Sequence, residues 1–131
     1  MPTTTQTQFS VFLMNKPGAL AAVLSALAAG GSNLLAVTLV DSQEHGVLRI
    51  VAEDHAKARA LLAPLNLPIS ETDVLCVQLD HRPGALASLA SALGENHVNI
   101  NYVYCTSPAA GDRAVAILKV ADPAKAMKLL A

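Results

Sequence analysis

Apolar residues in the first half of the chain form two kinds of pattern, a helical period and short continuous runs. Leu20, Val23, Leu24 and Leu27 are spaced i, i+3, i+4, i+7, as on one face of an amphipathic helix. Shorter apolar runs flank this helix and have the length and composition of strands. These runs cover residues 8–14, 33–41 and 46–52. The pattern therefore predicts short strands and helices that alternate along the chain.

The second half of the chain repeats the first. The segment PGALA at residues 17–21 returns at 83–87, which is 66 residues later. The segment DHAKA at 54–58 returns as DPAKA at 122–126, which is 68 residues later. The second copy thus carries about two extra residues, which we assign to the loop-like segment 106–112. A repeat of this length indicates a duplicated module.

Each copy is predicted to run strand, helix, strand, strand, helix. Asp54 and Asp122 have the position and side chain of an N-cap for the last helix of each copy. Residues 64–72 can supply a short fourth strand to the first copy, whereas the second copy ends with its last helix. The missing strand leaves a sheet edge that must stay open, be covered by another segment or be completed by a partner chain.

The predicted fold is α+β, with two ferredoxin-like βαββαβ modules in tandem. Each module has an antiparallel sheet with both helices on one face, and the second module lacks its last strand. We expect a flexible N-terminal tail over residues 1–7, a first module over 8–72 and a second module over 73–131.

Composition and charge exclude several classes of partner. Hydrophobic residues make up 53% of the chain, the net charge is −1 and only four residues are aromatic, so a nucleic-acid surface is not expected. Residues 17–40 carry no charge and are long enough to span a membrane. However, Gly30 and Gly31 interrupt this segment, and the corresponding segment of the second copy contains the charged residue Glu95. We expect no membrane association and a cytoplasmic location, because the start of the chain lacks the pattern of a signal peptide.

A Pro-Gly pair precedes the first helix of each copy, as NKPGAL at residues 15–20 and HRPGAL at 81–86. We expect the proline at the first helical position and the glycine at the second. Unpaired N–H groups at a helix start can hold a carboxylate or phosphate, and Lys16 and Arg82 add a cation beside each loop. From the residues alone, the alternative stays open that the Pro-Gly pair only starts a helix and the cations are solvated.

These two loops, each followed by an apolar helix and an Asn-Leu or Asn-Ile strand start, resemble the ACT domain. The tandem arrangement is similar to small stand-alone tandem-ACT proteins of bacteria, and the resemblance extends over residues 8–131. It implies allosteric regulation through a free amino acid. In that family, two modules pack side by side through their second strands into one eight-stranded sheet. The ligand lies between the Pro-Gly loop of one module and the start of the second strand of its neighbour.

The resemblance implies ligand-binding residues in the two loops and at the starts of the second strands. They are Asn15, Lys16, Gly18, Ala19, Leu20, Asn33 and Leu34 in the first copy, and His81, Arg82, Gly84, Ala85, Leu86, Asn99 and Ile100 in the second. Because the two loops differ in sequence, their pockets need not be equivalent. A homodimer and a regulated enzyme of amino-acid metabolism are the implied protein partners.

Two other functions are considered. The chain could be a ligand-independent interaction module that regulates or completes a partner enzyme through its open edge. It could also be an enzyme of acylphosphatase type, which would need Arg82 to act with a nearby asparagine. The sequence offers no pair of nucleophile and base and no histidines with metal-ligand spacing, so we expect no enzyme activity, no cofactor and no metal.

Overall fold

The computed structural model describes residues 1–41, 45–106 and 113–131. They divide into two compact units. We call Thr7–Thr72 the first module, and Met1–Gln6 together with Asp73–Ala131 the second module.

The order of strands and helices predicted for each copy is confirmed. The elements are β1 (Thr3–Met14), α1 (Ala19–Ala29), β2 (Leu34–Asp41), β3 (His45–Ala52), α2 (His55–Leu62), β4 (Ile69–Asp80), α3 (Ala85–Glu95), β5 (Ile100–Cys105), β6 (Arg113–Val120) and α4 (Pro123–Leu130). A short 3-10 turn at Ala63–Leu65 follows α2. No helix of the described residues is both long and apolar enough to cross a membrane.

The sheet of the first module has the strand order β2-β3-β1-β4. β3 pairs antiparallel with both β1 and β2. The backbone N–H of Phe12 donates to the carbonyl of Pro68 at 3.0 Å, so the start of β4 lies beside the end of β1. Alternate residues of β1 and β3 face the two helices, as the period of a strand requires. The core consists of Phe9, Val11, Leu13, Val23, Leu27, Leu48, Ile50, Ala52, Ala58 and Leu62.

The sheet of the second module has the strand order β1-β4-β6-β5. β6 pairs antiparallel with both β4 and β5. Its core repeats that of the first module, with Leu89 and Leu93 of α3 packed against the strands. Both side chains are fully buried.

Residues 3–7 lie in β1 rather than in a flexible tail. The backbone N–H of Gln78 donates to the carbonyl of Pro2 at 2.9 Å, and a side-chain hydrogen bond joins Thr4 and Cys76. The strand that is missing after the last helix of the second module is therefore supplied by the start of the chain. The expectation of a tail fails because the β-branched Thr residues fit a strand, and the partner strand lies far away in sequence.

The second strand of each module, β2 or β5, is an edge strand that is hydrogen-bonded only to β3 or β6 respectively. The resemblance implies that second strands pair with each other, but β2 and β5 do not do so within the described chain. In the described part of the chain, each of these strands therefore has a second edge along which no further strand is hydrogen-bonded.

Candidate functional site

The two Pro-Gly loops end in the same backbone conformation. Gly18 and Gly84 are the N-cap residues of α1 and α3, each with φ 87°. An N-cap residue is normally extended, and the left-handed region is strained for any residue with a Cβ, so glycine is required. The prediction that proline takes the first helical position is wrong here. Pro17 and Pro83 precede the N-cap because the chain reverses at the glycine.

Both loops leave helix N–H groups without acceptors. No side chain caps α1 or α3, and the first intrahelical bonds are donated by Ala22 and Ser88. No described residue accepts from the backbone N–H of Leu20 or Leu86. A Cβ built on Gly18 or Gly84 would meet no other atom within 4 Å. The helix starts therefore offer accessible donors to an incoming group.

The other helix of each module begins differently. The Asp54 carboxylate accepts from the backbone N–H of Lys57 at 3.1 Å, and the Asp122 carboxylate accepts from that of Lys125 at 3.0 Å. The N-caps expected at these two aspartates are confirmed, and Pro123 is the first residue of α4. Of the two α-helices that the structure describes in each module, the one after the Pro-Gly pair thus starts without a side-chain cap.

The first loop lines a small cleft of about 90 Å³. Of the expected residues, Asn15, Lys16, Ala19 and Leu20 line it together with Asp41 from the end of β2. The side-chain amide of Asn15 donates to the Asp41 carboxylate at 3.1 Å. Asp41 was not identified from the sequence. β1 and β2 run in the same direction on either side of β3, so both strands end at the edge of the sheet where the first loop lies.

The second loop lines a larger cleft of about 250 Å³, which we call the polar cleft. Arg82 and Ala85 are the expected residues that line it, while His81 is exposed and lies outside it. Sequence reasoning missed the other polar residues. The lining consists of Met1, Pro2, Gln78, Leu79, Asp80, Arg82, Ala85 and Arg113.

The asparagines at the starts of the second strands lie away from the loops of their own modules. β1 and β2 both run antiparallel to β3, so Leu34 is separated from the loop end of β2 by seven strand steps, about 23 Å. In the second module β4 and β5 both run antiparallel to β6, so Ile100 likewise lies at the end of the sheet opposite the loop. The carbonyls of Asn33 and Asn99 accept backbone N–H groups at 3.0 Å at that far end.

Within the described residues of the second module, no asparagine lies where it could pair with Arg82 as an acylphosphatase-type site requires. The asparagines of the second module are Asn96, Asn99 and Asn101, and all lie at the end of the module opposite the loop. The Asn99 amide donates to the Asn101 side chain at 3.3 Å.

The cysteines show no sign of an activated nucleophile. Burial raises the pKa of the Cys76 thiol and that of the Cys105 thiol, which disfavours the reactive thiolate. The described residues also hold no group of three or more potential metal ligands.

Comparison with known proteins gives a family match over nearly the whole chain. A family model described as an ACT domain pair matches residues 4–131. No curated protein sequence matches this one significantly.

Solved structures are similar to the chain over almost its full length. Protein BT0572 from Bacteroides thetaiotaomicron has 29% sequence identity and a TM-score of 0.89, and the match covers 98% of this chain and 88% of that chain. The ligand-free regulatory subunit of aspartate kinase from Thermus thermophilus has 16% identity and a TM-score of 0.69, and covers 99% and 95%. The corresponding subunit from Thermus flavus has 18% identity and a TM-score of 0.64, with the same coverage. At these identities, the two kinase subunits establish a shared fold.

Proposed function

The chain belongs to the family of ACT domain pairs, and on that basis we propose that it is a regulatory protein that binds a free amino acid at its Pro-Gly loops. One observation carries the proposal. In both modules, the helix after the Pro-Gly pair starts at a left-handed glycine without a side-chain cap, whereas the other helix is capped by aspartate.

The chemistry of the loops suits an α-amino acid. The free N–H groups at a helix start, with about half a positive charge, attract a carboxylate. Lys16 and Arg82 add a full positive charge beside each loop. An aspartate also lines each cleft, Asp41 in the first module and Asp80 in the second, and either can accept from an α-ammonium group.

We propose that the complete interface site requires a second copy of the chain. Asn33 and Asn99 lie at the far ends of their own modules, so they can reach a loop only from a neighbouring module. The edge strand β2 exposes Val37, Leu39 and Val40 at 40%, 47% and 45%. If β2 of two copies paired antiparallel, Asn33 of one copy would lie near the first loop of the other.

A thermal-shift panel with the twenty amino acids at millimolar concentration tests the binding proposal. A ligand present at about 100 times its dissociation constant adds about 2.7 kcal/mol to the free energy of unfolding. We expect one chemical class of amino acid to raise the melting temperature by several degrees.

Matched glycine variants locate the binding. Gly84→Ala and Gly84→Glu impose the same backbone strain, but only glutamate extends a charged side chain into the space before the helix. We expect Glu to abolish the thermal shift and Ala to retain most of it, with the same comparison made at Gly18. A flat panel for the wild type, or equal retention in both variants, would contradict binding at the loops.

Light scattering coupled to size exclusion tests the assembly. We expect the wild type to elute with the mass of two chains and Leu39→Lys, on the β2 edge, to elute as one. Val103→Lys, on the β5 edge, is the matched control, since Val103 has a similar exposure of 41%. A monomeric wild type, or disruption by Val103→Lys alone, would contradict pairing through β2.

The exposed apolar residues of β2 favour one second candidate, an interaction module that acts without a ligand. Such a module would regulate or complete a partner enzyme of amino-acid metabolism. It would associate through β2 while showing no response to any amino acid, which separates it from the sensor. Both candidates are consistent with the cytoplasm that we propose, because Cys76 and Cys105 are free thiols.

A further inference from the structure

The polar cleft has a counterpart at the equivalent place in the first module, separate from the 90 Å³ cleft, and the two differ in the polarity of their lining. Each is lined by the end of a strand, the Pro-Gly loop and the helix that follows it, and each has a volume of about 250 Å³. The 66-residue offset relates Leu13, Met14, Lys16 and Ala19 in the first to Leu79, Asp80, Arg82 and Ala85 in the second. The first-module cleft is otherwise apolar: Ala22, Val23, Leu65 and Leu67 complete it. The polar cleft therefore carries Asp80 and Arg113 in addition to the cation of its loop, whereas the first-module cleft has Lys16 as its charged residue.

Among the described residues, the charged groups of the polar cleft form no ion pair with one another, although Asp80 and Arg113 lie opposite each other in the register of β4 and β6. Arg113 donates to the Gln78 side chain at 3.4 Å and Arg82 donates to the carbonyl of Pro83 at 3.5 Å, both long for hydrogen bonds. In the described part of the chain, no ion pair joins Arg82, Arg113 or Asp80 to an oppositely charged group. Two guanidinium groups and one carboxylate thus border a cavity with most of their hydrogen-bonding capacity unused.

We propose that the polar cleft binds an amino acid with an acidic side chain, glutamate or aspartate. The inference rests on the proposed function, because it uses the second Pro-Gly loop, and it adds the class of ligand. One guanidinium pairs with the α-carboxylate and the other with the side-chain carboxylate, while Asp80 accepts from the α-ammonium.

The charge pattern argues against other small ligands. A neutral amino acid leaves one guanidinium without a partner. A dicarboxylate without an amino group, or inorganic phosphate, brings a second anion toward Asp80 and supplies no cation for it. All residues that line the polar cleft belong to the second module, so its charged groups come from one chain. The second copy proposed above would add Asn33 to the first loop, not to this cleft.

Isothermal titration of the full chain with matched ligands tests the proposal. Glutamate, glutamine and glutarate differ only in the side-chain carboxylate or the amino group, and phosphate serves as an inorganic anion. We expect glutamate or aspartate to bind about tenfold to a hundredfold more tightly than glutamine or asparagine, since charged hydrogen bonds are lost with the amide. Glutarate and phosphate should bind more weakly than glutamate.

Two variants assign the selectivity to the cleft. Arg113→Gln should reduce the preference for glutamate over glutamine to less than about threefold, and Asp80→Asn should remove the preference for glutamate over glutarate. Lys128→Gln is the control, because it also removes one positive charge but does so at an exposed position of α4. It should leave both preferences intact. Circular dichroism of each variant verifies that it is folded.

The outcomes separate this inference from the proposed function. Tight binding of a neutral amino acid that is insensitive to Arg113→Gln would overturn the acidic ligand and leave the proposed function standing. Binding of phosphate as tightly as glutamate would also overturn it. If no amino acid binds the wild type, both proposals fail.

Discussion

Three glycines with open surroundings provide a stringent test of the loop geometry. A Cβ added at Gly18, Gly84 or Gly94 would meet nothing within 4 Å, so alanine fits sterically at all three. Gly18 and Gly84 have φ 87°, whereas Gly94 lies in α3 and is absent from the positive-φ residues. The effects of three identical substitutions are therefore decided by backbone conformation alone.

The loop substitutions and the helix substitution should change the free energy of unfolding in opposite directions. The left-handed conformation costs a residue with a Cβ about 1–2 kcal/mol. Where alanine can adopt the native backbone without strain, it instead favours folding by about 0.4–1 kcal/mol, because it reduces the entropy of the unfolded chain. Gly84→Ala and Gly18→Ala should therefore each lower the free energy of unfolding by about 1 kcal/mol. Gly94→Ala should raise it by about 0.5–1 kcal/mol, because it replaces glycine in a helix.

Urea denaturation followed by circular dichroism measures these changes. We expect a lower transition midpoint for the two loop variants and a higher one for Gly94→Ala, with slopes equal to that of the wild type. A loop variant as stable as the wild type would refute the left-handed N-cap. A destabilised Gly94→Ala would show that packing, rather than backbone conformation, governs these sites.

Three further predictions concern the core, a helix cap and a thiol. Leu93→Ala removes a fully buried side chain and should cost about 2–5 kcal/mol in the same titration; a loss under about 1 kcal/mol would contradict its burial. Asp122→Ala should lower the free energy of unfolding by about 1 kcal/mol and Asp122→Asn by much less, because asparagine can also cap a helix. Equal losses in the two variants would contradict capping of α4 by this side chain. Because burial raises the pKa of Cys76, the protonated thiol is favoured by folding, so stability should fall as pH rises past the ordinary thiol pKa of about 8.5. Cys76→Ser should remove that part of the pH dependence, and an unchanged profile would count against it.

Local signals in the sequence predicted the features that depend on neighbouring residues. Asp54 and Asp122 act as N-caps because a carboxylate three residues before a free N–H needs no distant partner. The spacing of apolar residues predicted the helices and most strands correctly, because it too depends only on residues that are close in sequence. The duplicated Pro-Gly segment located both loops.

Features that depend on distant pairing were not accessible from the pattern. β1 starts at Thr3 rather than at residue 8 because the backbone of β4, which follows more than 60 residues later, provides its partner. Asp41 and Arg113 reach the clefts only because the sheet order brings their strand ends beside the loops. No periodicity within one segment carries that information.

The conformation of the Pro-Gly loops was also mispredicted, for a local reason. The dipeptide Pro-Gly is compatible with two helix starts. Either proline takes the first helical position, or glycine forms a left-handed N-cap. The choice between them depends on the angle at which the strand enters the helix. In both modules the glycine takes the left-handed N-cap conformation, and the helix buries its apolar residues in the core of the module.

The central claim is that an amino acid binds at the helix starts that follow the two Pro-Gly loops. Nuclear magnetic resonance titration of the ¹⁵N-labelled chain tests it most directly, because the backbone amides of Gly18, Leu20, Gly84 and Leu86 report on that contact. We expect at least one loop to show saturable shifts, centred on these amides, with the amino acid found in the thermal panel. Saturable shifts confined to other parts of the chain, or none with any of the twenty amino acids, would contradict it.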